Sequence, residues 1–167
     1  KFTSEEPHWK ERSKKLDEYI ESLGKENSEP QDDALIERNR SRSKLYEHCK
    51  TYLPETNIVY CESPVGTGKT TAIMAHLLQV AQKRNLRHII VVLPYTNIIT
   101  EAVKVYRKAL VLDGEDPVAI VAEHHHQADY GDEENAYNSD LRSIATTWTA
   151  PIIVTTAVQF FETLASN

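Results

Sequence analysis

Short apolar runs alternate with polar, helix-spaced stretches through most of the chain. The runs Asn57 to Cys61, His88 to Leu93, Val118 to Val121 and Ile152 to Thr155 are brief and almost uninterruptedly apolar, which predicts parallel strands covered on both faces. Between them, Thr70 to Lys83, Asn97 to Leu110, a polar segment around Asp140 to Thr147, and Ala157 to Ala165 predict helices. This alternation predicts an α/β fold: a doubly wound parallel sheet with right-handed crossovers. There is no internal repeat.

A different pattern precedes the first strand. Leu16, Tyr19, Ile20 and Leu23 fall on one face of a charged stretch, predicting an amphipathic helix over residues 8–23 that closes at Gly24. Lys25 to Asp33 is polar with one proline and reads as a linker, with Asp32 or Asp33 capping a second helix. A boundary is expected here: residues 1–33 as an N-terminal helical appendage, residues 34–167 as the main domain. The second helix carries Leu35, Ile36, Leu45, Tyr46, Cys49 and Leu53, interleaved with Arg38, Arg40, Arg42 and Lys44, and Pro54 follows its end. Residues 127–139 are acidic and weakly apolar and read as a surface loop.

Composition narrows the function classes only a little. A net charge of −6 argues against a generally basic nucleic-acid coat but leaves room for local phosphate contacts. The two cysteines, Cys49 and Cys61, have no C-x-x-C spacing, so neither a disulfide framework nor a thiol redox motif is expected, and a cytoplasmic setting is the simplest. No apolar run approaches the roughly 20 residues of a spanning helix, no signal peptide is visible, and no membrane partner is expected. The chain starts at Lys1 without a methionine and stops at Asn167; it reads as a fragment of something longer.

The chemistry concentrates in Ser63-Pro64-Val65-Gly66-Thr67-Gly68-Lys69-Thr70, set between an apolar run and a helical stretch. A glycine-containing turn there lets successive backbone N–H groups converge on the oxygens of a triphosphate, and the helix N-terminus adds its dipole. ATP with Mg²⁺ is the expected ligand, held by Ser63 to Thr71. Lys69 and Thr70 are the catalytic candidates, Lys69 reaching the β and γ phosphates and the Thr70 hydroxyl coordinating the metal. Ser63 stands where the usual pattern has glycine.

Two further strand ends look alike. Leu93-Pro94-Tyr95-Thr96-Asn97 and Val154-Thr155-Thr156-Ala157 each pass from an apolar run through small polar residues into a helix. Ligands of open parallel sheets gather beyond such ends, so Pro94, Tyr95, Thr96, Asn97, Thr155 and Thr156 are candidates for the phosphates of a nucleic-acid strand. Taken one at a time, Thr96, Asn97, Thr155 and Thr156 read as helix caps.

Gly66 to Thr71, Leu93 to Ile99, Glu123 to His125 and above all the run from Trp148 to Leu164 resemble the helicase part of the CRISPR-associated type I interference helicase-nuclease. The resemblance covers residues 35–167, with Asn39-Arg40-Ser41-Arg42 where relatives carry a similar basic element. It implies a P-loop, RecA-like fold, this chain holding the first of two lobes of a superfamily-two helicase. It further implies movement on single-stranded DNA, recruitment by an RNA-guided surveillance complex, and an HD-type nuclease in the parent. Residues 63–71 would then bind nucleotide, and Pro94 to Asn97 together with Thr155 and Thr156 would contact the strand.

One part is missing. Such motors hydrolyse ATP with an Asp-Glu pair at a strand end, and no Asp-Glu-x-His occurs in the chain; Ala122-Glu123-His124 has alanine where the metal-binding aspartate belongs. The motif is expected soon after Asn167, so the chain should bind nucleotide weakly and turn it over negligibly. His124-His125-His126 invites a metal site, but adjacent strand residues alternate faces, and a packing role is favoured. Cys61 reads as a small buried residue, and Trp148, Phe160 and Phe161 as packing. Two alternatives stay open: another superfamily-two translocase, such as a DEAD-box-like RNA helicase or a restriction motor subunit, or a nucleotide-gated binding module.

Overall fold

The computed structural model describes residues 7–26, 33–124 and 148–165. They fall into two compact units, one of Trp9–Leu86 and one of residues 7–8 together with the described residues from Arg87 on.

The first unit is helical. It contains α1 (Trp9–Glu26), α2 (Asp33–Thr51) and α3 (Lys69–Arg84). In α3, Ala72, Met74, Ala75, Leu78 and Ala81 form a buried stripe with the i, i+3, i+4 spacing of one helix face. Asn85 ends the helix in the left-handed conformation, its N–H returning to the Ala81 and Gln82 carbonyls. Both other helices pack on α3. Trp9 Nε1 donates to the Leu86 carbonyl at 2.7 Å. Asp17 ties α1 to α2 by accepting the Tyr46 hydroxyl at 2.9 Å and the Lys50 ammonium at 2.8 and 3.0 Å. Burial, then this carboxylate, pushes the Tyr46 phenol well above its ordinary pKa.

Gly24 does not stop α1, which continues to Glu26. A left-handed terminator needs positive φ, and among the described glycines only Gly66, Gly68 and Gly114 have it. The run Asn57 to Cys61 forms no strand. A strand exists only when its backbone groups find a neighbour's, and no described strand pairs with this one. Ile58 and Tyr60 are more than four-fifths exposed, and the segment lines a cavity of about 840 Å³ together with Cys49, Tyr52, His76 and Val80.

The second unit is a three-stranded parallel sheet with helices. Its elements are β1 (Ile89–Leu93), α4 (Thr96–Leu110), α5 (Pro117–Ile120), β2 (Val121–His124), β3 (Ile152–Thr156) and α6 (Ala157–Ala165). The strand order is β1-β3-β2, with Ile89 opposite Ile152 on one side and Val121 opposite Ile152 on the other. The chain is thus α/β, with N-terminal helices before a small parallel sheet. In β3 the first four residues are buried, as both faces of a central strand should be. The expectation of two covered faces fails for β1, where Ile90 and Val92 are about two-fifths exposed; β1 is an edge strand of the described sheet.

Residues 118–121, expected as one strand, divide between two elements. Val118 to Ile120 belong to α5, and the strand starts only at Val121. The cause is local: Asp116 caps the turn by accepting the Val118 N–H at 3.0 Å, and Pro117 takes the first helical position, where its missing donor costs nothing. On α4, Ile99, Ala102, Val103, Tyr106, Ala109 and Leu110 are buried, and burial raises the Tyr106 phenol to about 12. The helix expected over residues 140–147 and the loop over 127–139 lie outside the described residues.

Candidate functional site

The phosphate loop is built from its two glycines upward. Gly66 and Gly68 have φ of +82° and +76°, a region that costs a residue with a Cβ about 1–2 kcal/mol. Gly68 is also the N-cap of α3 and supplies no side-chain cap, so the first-turn N–H groups are directed out of the helix end. Thr67, 8% exposed, braces the turn from inside: its hydroxyl lies 2.6 Å from Ser63 Oγ and donates to the Pro64 carbonyl at 2.8 Å. Pro64, Val65, Gly66 and Thr70 are exposed, whereas Ser63, Lys69 and Thr71 are half-buried.

Lys69 does not extend into solvent. Its ammonium donates to the Ser63 carbonyl at 2.6 Å and the Pro64 carbonyl at 2.8 Å, which holds the cation over the mouth of the turn. The Thr71 hydroxyl returns to the Gly68 carbonyl at 3.0 Å. A turn with two left-handed glycines, an uncapped helix start, a lysine at its rim and an exposed threonine hydroxyl at position 70 suits a polyphosphate carried with a hard cation.

A contact from outside the loop was not foreseen. Arg42 of α2 donates from Nε to the Gly66 carbonyl at 2.8 Å and from Nη1 to Asn39 Oδ1 at 3.3 Å. In sequence it was one of four similar cations. Folded, Arg38, Arg40 and Lys44 are exposed and Arg42 alone is half-buried.

The other two junctions lie in the second unit and are neighbours there. Leu93 pairs with Thr156 across β1 and β3, so residues 94–97 and 155–157 leave the sheet side by side. Pro94, Tyr95 and Asn97 are exposed, and Thr96 is half-buried. The capping expectation holds for one residue of four. Thr156 accepts the Gln159 N–H at 3.2 Å and caps α6, whereas α4 is capped by Tyr95 without a side-chain bond. Thr155 is fully buried.

Beside this edge, Thr100 donates to Glu123 at 2.8 Å and Trp148 Nε1 donates to His124 Nδ1 at 3.0 Å. Trp148 packs on Ala122, Ala150 and Ile153 and stacks on Phe160 at 5.8 Å; Phe161 is two-thirds exposed. Among the described residues no three His, Cys, Asp or Glu side chains could hold a metal; His125 and His126 lie outside them. Cys61 is half-buried and outside any strand, and Cys49 is buried. Burial, then the neighbouring Cys61, pushes the Cys49 thiol above its ordinary pKa, the reverse of what a nucleophile needs. No helix among the described residues is long and apolar enough to cross a membrane.

Residues 46–167 match the DEAD/DEAH box helicase family. No curated protein matches the chain, and no solved structure does.

Proposed function

Because the chain belongs to the DEAD/DEAH box helicase family, we propose that it is the first RecA-like lobe of an ATP-driven motor moving on nucleic acid, with Ser63 to Thr71 as its nucleotide loop. Membership at the superfamily-two level carries ATP binding and helicase activity as family properties; the assignment of residues is our own. The observation that supports it most directly is the loop itself, with Gly66 and Gly68 both at positive φ and the Lys69 ammonium held at its rim. When bound, ATP supplies the phosphoanhydride whose hydrolysis drives such motors. The chain's part is to hold it: amides of residues 66–70 around the phosphates, Lys69 on their outer oxygens, Thr70 toward Mg²⁺. The domain reading is residues 34–167 for the lobe and 1–33 for what precedes it.

For the nucleic acid, the paired junctions support contacts through exposed Pro94, Tyr95 and Asn97 and through the backbone at Thr96 and Thr156. Such contacts would be to phosphates and independent of sequence. The partner reading is a single strand. A CRISPR interference role, with single-stranded DNA as track and an RNA-guided complex as recruiter, rests on the likeness of the Trp148 to Leu164 run; the wider superfamily-two reading rests on the family match.

The test is titration of the chain with a fluorescent ATP analogue and Mg²⁺. Saturable binding lost in Lys69→Ala supports the reading, and binding indifferent to that substitution sinks it. Parallel titrations with single-stranded DNA and RNA decide the track: a preference for RNA removes the CRISPR role and leaves the motor.

A further inference from the structure

A phosphate cradle works only if its carbonyls turn away from the ligand while its N–H groups turn toward it. The peptide joining Gly66 to Thr67 is trans, as every described peptide is, so its C=O and N–H point in opposite directions. Gly66, on the carbonyl side of this peptide, sits at positive φ and has the conformational freedom of glycine, so nothing in its own side chain fixes the direction of its carbonyl. Arg42 Nε–H donates to that carbonyl at 2.8 Å, which leaves the Thr67 N–H on the opposite side. Asn39, one helical turn earlier, accepts Nη1 at 3.3 Å and fixes the guanidinium plane. Its own carbonyl takes the Ser43 hydroxyl at 3.1 Å, keeping the pair on a regular turn of α2.

The arrangement needs an arginine. Two donors of one rigid plane are used at once, on a loop carbonyl and on a side-chain amide, whereas a lysine offers one flexible point charge. It also distinguishes Arg42 from its neighbours, since Arg40 pairs with exposed Glu37 at 3.9 Å on its own helix. We propose that Arg42, oriented by Asn39, is a positioning residue of the phosphate loop: it sets the direction of the Gly66–Thr67 peptide and thereby the affinity for the triphosphate. The inference rests on the nucleotide reading above for its ligand, and on the two hydrogen bonds for its geometry.

The experiment uses the whole chain, a fluorescent ATP analogue with Mg²⁺, and amide hydrogen exchange without nucleotide. Arg42→Lys keeps the charge and most of the stem, so it should fold as the parent does, yet bind about fivefold to tenfold more weakly, the loss of one charge-assisted hydrogen bond. Its Thr67 amide should exchange faster than the parent's. Asn39→Ala should give a smaller loss in the same direction, and Arg40→Ala none. Arg42→Lys within about twofold of the parent in affinity, while Lys69→Ala still abolishes binding, overturns the proposal, because charge alone then suffices. If Lys69→Ala leaves binding untouched, the nucleotide reading is what fails. The Thr67 exchange rate in Arg42→Lys then decides the clamp: faster supports it, unchanged refutes it.

Discussion

Substituting alanine at Gly68 and at Gly24 should have effects of opposite sign, for reasons that can be worked from the backbone. At Gly68 an added Cβ would meet Thr71 Oγ1 at 3.7 Å and Arg42 Cγ at 3.8 Å, ordinary contacts that add no clash. The whole penalty is conformational, since φ is +76° and a left-handed alanine costs about 1–2 kcal/mol. A loop held in its binding geometry at that cost loses occupancy by about 5–30-fold, and the apparent Kd for nucleotide rises by the same factor. Gly24 lies inside α1 with nothing within 4 Å of an added Cβ and without positive φ. Alanine there should stabilise the fold by about 0.5–1 kcal/mol through helix propensity and leave binding alone. The assay pairs urea unfolding with titration of the fluorescent ATP analogue. Affinity is the decisive readout at Gly68, because a loop can relax locally without lowering global stability. A folded Gly68→Ala chain with parental affinity, or a destabilised Gly24→Ala chain, would refute the reasoning.

Further expectations concern the fold. Asp17→Ala strips the Tyr46 hydroxyl and the Lys50 ammonium of their shared partner; a loss of about 1–3 kcal/mol in chemical denaturation is expected, with Tyr46→Phe nearly neutral in that background. Raising pH should unfold the chain through its buried phenols. Tyr106 keeps its proton to about 12 in the fold while the unfolded chain releases it near 10. Its contribution is therefore intact below pH ~10 and lost as pH climbs toward ~12. Denaturation curves followed across that window should flatten in Tyr106→Phe, and an unchanged slope would remove Tyr106 as the cause. Leu78, fully buried in α3, should cost about 2–5 kcal/mol on truncation to alanine, read as a fall in the urea midpoint.

Sequence carried far where the signal was local and periodic. The α3 and α4 faces were legible because their apolar residues recur at helical spacing, and the loop because Gly66, Gly68 and Lys69 form a compact pattern. It failed where the deciding partner lies elsewhere in the chain. Residues 57–61 have a strand's composition, but pairing belongs to two segments and not to one. Residues 118–120 are apolar too, yet the preceding Asp116-Pro117 was a helix-start signal that the apolar run masked. Thr155 and Thr156 look equivalent in sequence, but Thr155 still lies within the covered part of β3, whereas Thr156 ends the strand, is half-buried and caps α6. Arg42 was hidden among four cations because only folding distinguishes the one that faces a loop carbonyl.

The Lys69 ammonium is already shared between the Ser63 and Pro64 carbonyls. An ammonium carries three N–H donors, so two stay committed to the loop and a third is left for an oxygen arriving at its rim. The side chain is ordered before any ligand is bound, and little of the roughly 2 kcal/mol of rotamer entropy a lysine carries remains to be lost on capture.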